Sequence, residues 1–323
     1  QSSWTVPSGF LRVAYPALVP SFADHLADPS ILLLFGLTPP RTSVEPQKAT
    51  EIGQAALRRL DGIPVDALAL YDLDDESDRT EQERPFPFLR TMDPSEFLAD
   101  HLSGWQGSSV VYRSVGKYAP DEFTGWLDAQ PSGSPVVFVG ASSSDKEVRT
   151  TLRQAQELRR GRRPDLPLGA VAIPERHTAR GDEHERLLAK QEAGCSFFIT
   201  QVVYDLNAAK SMASDYVYAC REKGIEPARI IFTLSLCGSI RTLEFLEWLG
   251  VDVPRWVRND LTHVADPLGL SVVHALDTAR DLRDFCRHLG LPCGFNVESV
   301  SNRRVEIDAA VHVLRQLAFE MHS

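Results

Sequence analysis

The sequence predicts a single-domain α/β fold, a (β/α)8 TIM barrel, and three observations lead to this prediction. Roughly eight short apolar runs alternate with roughly eight amphipathic segments, as a parallel barrel requires. Runs such as 31–35 are apolar without interruption, which is typical of strands buried on both faces. No Gly-x-Gly-x-x-Gly motif follows any of these runs, which disfavours an open, doubly wound sheet.

The elements follow in order along the chain. Strands are predicted at 31–35, 67–71, 109–113, 135–139, 169–173, 197–203, 229–234 and 294–300. Helices are predicted at 45–59, from 120 onward, and at 145–160, 182–192, 207–223, 240–249, 270–289 and 305–319. Residues 253–262 are predicted to be an irregular insertion. Residues 1–30 are expected to be an N-terminal extension packed on the outside, so that the barrel with its C-terminal helix spans 31–323.

Composition and charge exclude several classes of function. The chain has 34 Lys and Arg residues against 44 Asp and Glu residues, a net charge of −10, and its only dense basic tract is 159–163. A nucleic-acid partner is therefore not expected. No apolar run is long enough to span a membrane, and the five scattered cysteines fit reduced thiols in a cytoplasmic protein. Nothing in the sequence indicates the oligomeric state.

In a barrel, side chains at the carboxyl ends of the strands converge on one opening, here called the mouth. Asp72 follows Tyr71 directly at the end of the second strand, and its carboxyl is expected to face this mouth. His177 and His184 are separated by seven positions across a predicted loop without a His-x-x-x-His pair, so no metal site is predicted. No strand-end lysine is available for a Schiff base, which disfavours a barrel aldolase. The candidate mouth residues are Thr38, Arg41, Asp72, Tyr112, Ser114, Ser142, Glu175, His177, Gln201, Tyr204 and Glu298.

A long spaced pattern connects two of these strand ends. The predicted strand 169–173 ends in Pro174-Glu175-Arg176-His177. Lys190 then lies four residues before Gly194. The predicted strand 197–203 carries Ile199-Thr200-Gln201 and is followed by Tyr204 and Asp205. With this pattern the chain resembles the methylenetetrahydrofolate reductases, from residue 35 to about residue 304. The resemblance implies a barrel that interconverts 5,10-methylenetetrahydrofolate and 5-methyltetrahydrofolate.

The chain departs from that family where the family binds FAD. The family's first strand reads Phe-Glu-Phe-Phe-Pro-Pro-Arg, with the Glu assisting ring opening at N10, whereas residues 35–41 read Phe-Gly-Leu-Thr-Pro-Pro-Arg. Residues 139–141 read Val-Gly-Ala where the family has Arg-Gly-Asp. In this respect the chain resembles the short, flavin-independent members of the family, which implies that FAD is absent and that NAD(P)H, with NADH favoured, exchanges hydride directly with folate. An FAD-dependent reductase with an altered site and a non-catalytic folate-binding homologue remain alternatives.

Roles for individual residues follow from the resemblance, each beside a plainer interpretation. Asp72 and Glu298 are candidates for the acid that replaces the family's first-strand Glu. In the plainer interpretation they are rim carboxylates paired with Arg41 or Arg303. Gln201 offers an amide donor and acceptor suited to a pterin edge, or is a rim glutamine. The other predicted substrate-binding residues are Tyr112, Arg303 and Arg304, the arginines for the glutamate tail of folate. The predicted cofactor-binding residues are Glu175, His177 and Lys190; His177 could instead be a surface imidazole, and Lys190 a solvated side chain.

Overall fold

Strands buried on both faces close into an eight-stranded parallel barrel in the computed structural model, which describes residues 21–76, 82–140 and 147–321. The strands follow one another around the barrel in chain order, and the last pairs with the first. The predicted TIM barrel is thus confirmed. The strands are β1 (Leu32–Leu37), β2 (Ala67–Leu70), β3 (Ser108–Ser114), β4 (Val136–Val139), β5 (Leu168–Ala172), β6 (Cys195–Val202), β7 (Arg229–Ser235) and β8 (Cys293–Glu298).

Alternation along the strands separates two apolar cores. Leu34, Ala69, Val110, Phe197 and Ile231 point into the barrel and fill its interior. The intervening strand residues point outward and pack against the surrounding helices in a larger core. Polar strand-end side chains are therefore positioned by strands that are fixed on both sides.

The helices form the outer layer, together with a short 3₁₀ helix at Val115–Lys117. They are α1 (Phe22–Ala27), α2 (Pro46–Leu60), α3 (Pro94–His101), α4 (Pro120–Ala129), α5 (Leu152–Arg162), α6 (Pro174–Arg180), α7 (Glu183–Glu192), α8 (Leu206–Lys223), α9 (Ile240–Trp248), α10 (Arg255–His263), α11 (Pro267–Leu289) and α12 (Arg304–Met321). No helix among the described residues is long and apolar enough to cross a membrane. All five cysteines are free and buried.

Four helical predictions need correction. α3 was not predicted, and α6 occupies the segment expected to be a polar strand exit. Residues 253–262 are not an irregular insertion, because Val257 and Leu261 form a buried i, i+4 pair on α10. α5 begins at Leu152 behind its Thr151 cap, later than the predicted helix at 145–160, and Val148 before it is 42% exposed. The predicted mouth residue Ser142 and the first two residues of the predicted helix at 145–160 lie outside the described residues.

Helix α1 closes the amino-terminal end of the barrel. Its Phe22 is 1% exposed and packs edge-on against Phe197 of β6, with ring centroids 5.1 Å apart. Ser21 caps the helix through a reciprocal capping box with Asp24. The part of the predicted outer extension that the structure describes is therefore an inner plug, since its aromatic side chain belongs to the interior core. Residues 1–20 lie outside the described residues.

Candidate functional site

A polar cluster lies inside the mouth, built from Tyr71, Asn296 and Glu298. The Tyr71 hydroxyl donates a hydrogen bond to Glu298 Oε2. Asn296 Nδ2 in turn donates to the Tyr71 oxygen at 2.7 Å and to Thr233 Oγ1 at 3.3 Å. Asn296 and Glu298 are two residues apart on β8 and so share its inward face. We call these three residues the Glu298 cluster.

Burial controls the protonation of this cluster. Glu298 lies in the concave mouth, and its removal from bulk water raises the pKa of its carboxyl above the ordinary value, against the opposing hydrogen bonds from Tyr71 and Asn296. Burial, followed by the nearby Glu298 charge, raises the pKa of the Tyr71 hydroxyl well above its usual range. Tyr71 therefore remains a hydrogen-bond donor, and Glu298 holds its proton to a higher pH than an exposed glutamate.

Gly36 makes room for the Glu298 cluster on the neighbouring strand. A Cβ added at residue 36 would lie 2.7 Å from the Tyr71 oxygen, 2.8 Å from Glu298 Cβ and 3.1 Å from Glu298 Oε2. These distances are below ordinary van der Waals contact. The Glu298 carboxylate thus occupies the space beside β1 that a side chain at residue 36 would need.

Tyr112 forms an aromatic wall beside this cluster. It lies on β3, is 7% exposed, and packs edge-on against Tyr71 with ring centroids 4.8 Å apart. Burial and the nearby Glu298 charge raise the pKa of its hydroxyl far above the ordinary range. The structure therefore brings the predicted residues Tyr112 and Glu298 together.

Two polar residues near the ends of β5 and β6, Glu175 at the start of α6 and Gln201 on β6, contact the same neighbouring segment. Gln201 Nε2 donates to the Leu249 carbonyl at 3.1 Å, and its Oε1 accepts from the Val202 amide at 3.2 Å. Burial raises the pKa of Glu175 to about 7; the nearby Asp252 and Asp205 charges add to this, while backbone hydrogen bonds oppose it. The segment after α9 thus contacts both predicted residues.

Asp72 does not face the mouth, contrary to the prediction. Its side chain is 4% exposed and pairs with Lys117, and it also accepts hydrogen bonds from the Ser114 amide at 2.9 Å and the Tyr118 hydroxyl at 3.0 Å. Tyr71 points into the barrel, so the next residue points outward by strand alternation. The contacts of Asp72 tie β2 to the segment after β3, and its catalytic role remains a prediction without a supporting contact.

His177 and Lys190 lie in the helical layer. His177 Nε2 is 3.1 Å from Asp215 Oδ2 on α8, and the residue is 7% exposed, so it is not a surface imidazole. Lys190 Nζ donates to the Val171 carbonyl at 2.6 Å and lies 3.4 Å from Glu183 Oε1, while burial lowers its pKa. Lys190 is therefore not solvated, and the cofactor-binding roles of both residues stay predictions.

The two predicted tail-binding arginines differ in position. Arg303 follows β8 and bonds to Glu306 Oε1 at 2.9 Å, with 52% of its side chain exposed. Arg304 opens α12, pairs with Asp308 at 3.4 Å, and is 85% exposed. Arg303 also reaches the Gly238 carbonyl after β7 at 3.5 Å, so it is the arginine held beside neighbouring strand ends.

No family model matches the sequence, and no curated protein does. An uncharacterized protein from Clostridium thermocellum that binds two copies of 5-methyl-5,6,7,8-tetrahydrofolic acid is 39% identical over 90% of this chain and 96% of its own, with a TM-score of 0.80. The chain belongs to the family of this clostridial protein. A second structure, apo-MsnO8, has a TM-score of 0.51 at 13% identity over 90% of this chain and 99% of its own, and shows the fold alone.

Two residues of the site in this member of the clostridial family escaped the sequence analysis. Tyr71 was treated only as the neighbour of Asp72, and Asn296 only as part of the last strand. The period of two along a strand could have identified Asn296, since it precedes Glu298 by two positions. The same period could have identified Tyr71 only if the exact end of β2 had been known.

Proposed function

We propose that this protein binds a reduced folate at the barrel mouth and interconverts 5,10-methylenetetrahydrofolate and 5-methyltetrahydrofolate by direct hydride exchange with NAD(P)H. Support for the folate comes from the clostridial relative, which is 39% identical to this chain and binds 5-methyl-5,6,7,8-tetrahydrofolic acid. Aromatic and carboxylate groups meet at this mouth, as a flat heterocycle with N–H donors requires. Gln201 and Glu175 are the rim groups that we assign to such donors and acceptors.

The observation that carries the catalytic proposal is the position of Glu298 beside Gly36. The resembling reductases carry their acid at the position of Gly36, and here the Glu298 carboxylate oxygen lies 3.1 Å from where a Cβ of residue 36 would be. Since β8 and β1 are hydrogen-bonded neighbours, an acid on β8 can serve the same part of the mouth. We infer that Glu298 replaces the missing first-strand acid.

The environment of Glu298 suits this chemistry. In the reducing direction the protonated carboxyl would give its proton to N10 as the bond between N10 and the methylene carbon breaks. The methylene carbon would remain on N5 as an iminium, and NAD(P)H would supply the hydride that converts it to a methyl group. The raised pKa favours the protonated acid, and Tyr71 and Asn296 orient its carboxylate. Tyr112 would provide an apolar wall beside the folate ring.

His177 and Lys190, the predicted cofactor-binding residues, are engaged with Asp215 and Glu183. We propose NADH as the preferred hydride donor and expect no tightly bound flavin. An absorption spectrum of the freshly purified protein checks for flavin. Flavin bands in stoichiometric amount would overturn direct exchange in favour of an FAD-dependent reaction.

The central experiment follows NADH formation from NAD⁺ and 5-methyltetrahydrofolate, with folate affinity measured separately by calorimetry. Glu298→Gln keeps the shape of the acid and removes its proton, so it should lower kcat by about 10²–10⁴-fold while retaining folate binding. Asp72→Asn is the matched control, since it removes a nearby carboxylate that points away from the mouth. Equal kcat for the parent and Glu298→Gln would remove Glu298 from the mechanism.

A second candidate is a folate-binding protein without turnover, favoured by Gly36 in place of the family's acid. Calorimetry and the rate assay separate the two candidates. Saturable binding of 5-methyltetrahydrofolate with no nicotinamide-dependent turnover in either direction would support the binding protein. Absence of binding to any reduced folate would refute both.

A further inference from the structure

The helical layer contains a cluster that the mouth chemistry does not use. His177 lies in α6, His184 in the first turn of α7, and Asp215 in the middle of α8. One ligand atom from each of these three side chains lies within 4.8 Å of the other two. The cluster joins three consecutive helices on the outside of the barrel, and we call it the His-His-Asp cluster.

Local backbone geometry brings the two histidines together. α6 ends at Gly181, whose φ of 72° lies in the left-handed region that glycine adopts readily. α7 then starts within two residues, and the rings of His177 and His184 meet edge-on with centroids 5.3 Å apart. The sequence pattern predicts a loop between them and indicates no third ligand. The fold replaces that loop by two helices and supplies Asp215.

The distances suit a small divalent cation. His177 Nε2 and Asp215 Oδ2 are 3.1 Å apart, and two ligands on a tetrahedral ion with bonds of about 2.0 Å lie about 3.3 Å apart. His184 also carries a buried Nδ1 with no hydrogen-bond partner among the described residues, which leaves this atom available as a ligand. His177 is 7% exposed, whereas the Asp215 side chain is 56% exposed, so the cluster is anchored inside and open to solvent on one side.

We propose that His177, His184 and Asp215 form a Zn²⁺ site with water as the fourth ligand. Two imidazoles and one carboxylate match the ligands that Zn²⁺ prefers, whereas Ca²⁺ and Mg²⁺ require mostly oxygen ligands. The ion would clamp α6 and α7 onto α8. It lies in the helical layer, so the proposed folate chemistry neither requires nor excludes it.

The test uses the full-length protein after chelator treatment, with Zn²⁺ binding measured by calorimetry and Co²⁺ used as a spectroscopic probe. We expect one Zn²⁺ per chain and the intense visible bands of four-coordinate Co²⁺. Asp215→Asn and His184→Ala should each weaken Zn²⁺ binding by at least about tenfold. Both change residues at least partly exposed, so circular dichroism should show folded variants. The exposed His312 on α12 provides the control, and His312→Ala should bind as the parent does.

A second measurement keeps the result interpretable if a variant is less stable. Zn²⁺ should raise the melting temperature of the parent and of His312→Ala, but not of Asp215→Asn at the same concentration. Failure of the parent to bind Zn²⁺ saturably would overturn the site. Parent-like Zn²⁺ affinity in both Asp215→Asn and His184→Ala would do the same, because any binding would then lie elsewhere.

Discussion

The contact between Gly36 and the Glu298 cluster predicts the effect of adding one methyl group. In Gly36→Ala the new Cβ would lie 2.7 Å from the Tyr71 oxygen and 2.8 Å from Glu298 Cβ, about 1 Å inside normal contact. Tyr71 is confined by Tyr112, and Glu298 Cβ is fixed by the backbone of β8, so neither can move away freely. Overpacking of this kind lowers the free energy of unfolding by about 1–3 kcal/mol.

Urea unfolding followed by circular dichroism measures this loss, and Gly140→Ala is the matched control. Gly140 follows β4 at the same end of the barrel, and a Cβ there would have no atom of the described residues within 4 Å, so its change should stay within about 0.5 kcal/mol. Tyr71→Phe removes the nearest atom, so Gly36→Ala should cost at least about 0.5 kcal/mol less in that background. If Gly36→Ala is as stable as the parent, the close packing described for the cluster is wrong.

Four further predictions concern the mouth and its supports. Because burial raises the pKa of Glu298, the rate of methylenetetrahydrofolate reduction should fall as pH rises through that pKa, and Glu298→Gln should abolish this fall. A pH–rate profile of the parent that shows no such fall would contradict the acid role. Asp72→Asn should lower the free energy of unfolding by about 1–3 kcal/mol in urea and leave the calorimetric folate affinity unchanged; a selective loss of rate would instead restore Asp72 as a catalytic candidate. Lys190→Met leaves the fully buried Glu183 without one of its cationic partners and should lower the free energy of unfolding by roughly 3 kcal/mol, with the KM for NADH unchanged. A raised KM for NADH in a stable variant would instead indicate that Lys190 binds the cofactor. Phe22→Ala removes an aromatic ring that is 1% exposed and should cost about 3–5 kcal/mol by urea unfolding, and a negligible loss would mean that α1 does not close the barrel.

The barrel could be predicted from the sequence because its strands are buried on both faces. Segment 31–35 was predicted within two residues of β1, and 229–234 within one residue of β7. Such strands give an apolar run with a clear start and end. The outer helices were harder, since α6 and α10 are short and rich in polar residues. A weak apolar stripe does not distinguish a short helix from a loop.

The candidate site was predicted only in part, for a geometric reason. The sequence located the strand ends and therefore Glu298 and Tyr112, which do meet at the mouth. It could not tell which of Tyr71 and Asp72 points inward, because one residue of error at a strand end exchanges the two faces. His177 was misplaced because its strand ends at Ala172 and the chain then turns into α6.

Phe22 covers the amino-terminal end of the barrel, and inward side chains fill its interior. Two reactants that meet at the mouth must therefore arrive and depart on the same side of the barrel. When one of them stacks over the other, the lower one departs last, so steady-state kinetics should be ordered. Product-inhibition patterns would reveal which reactant enters first.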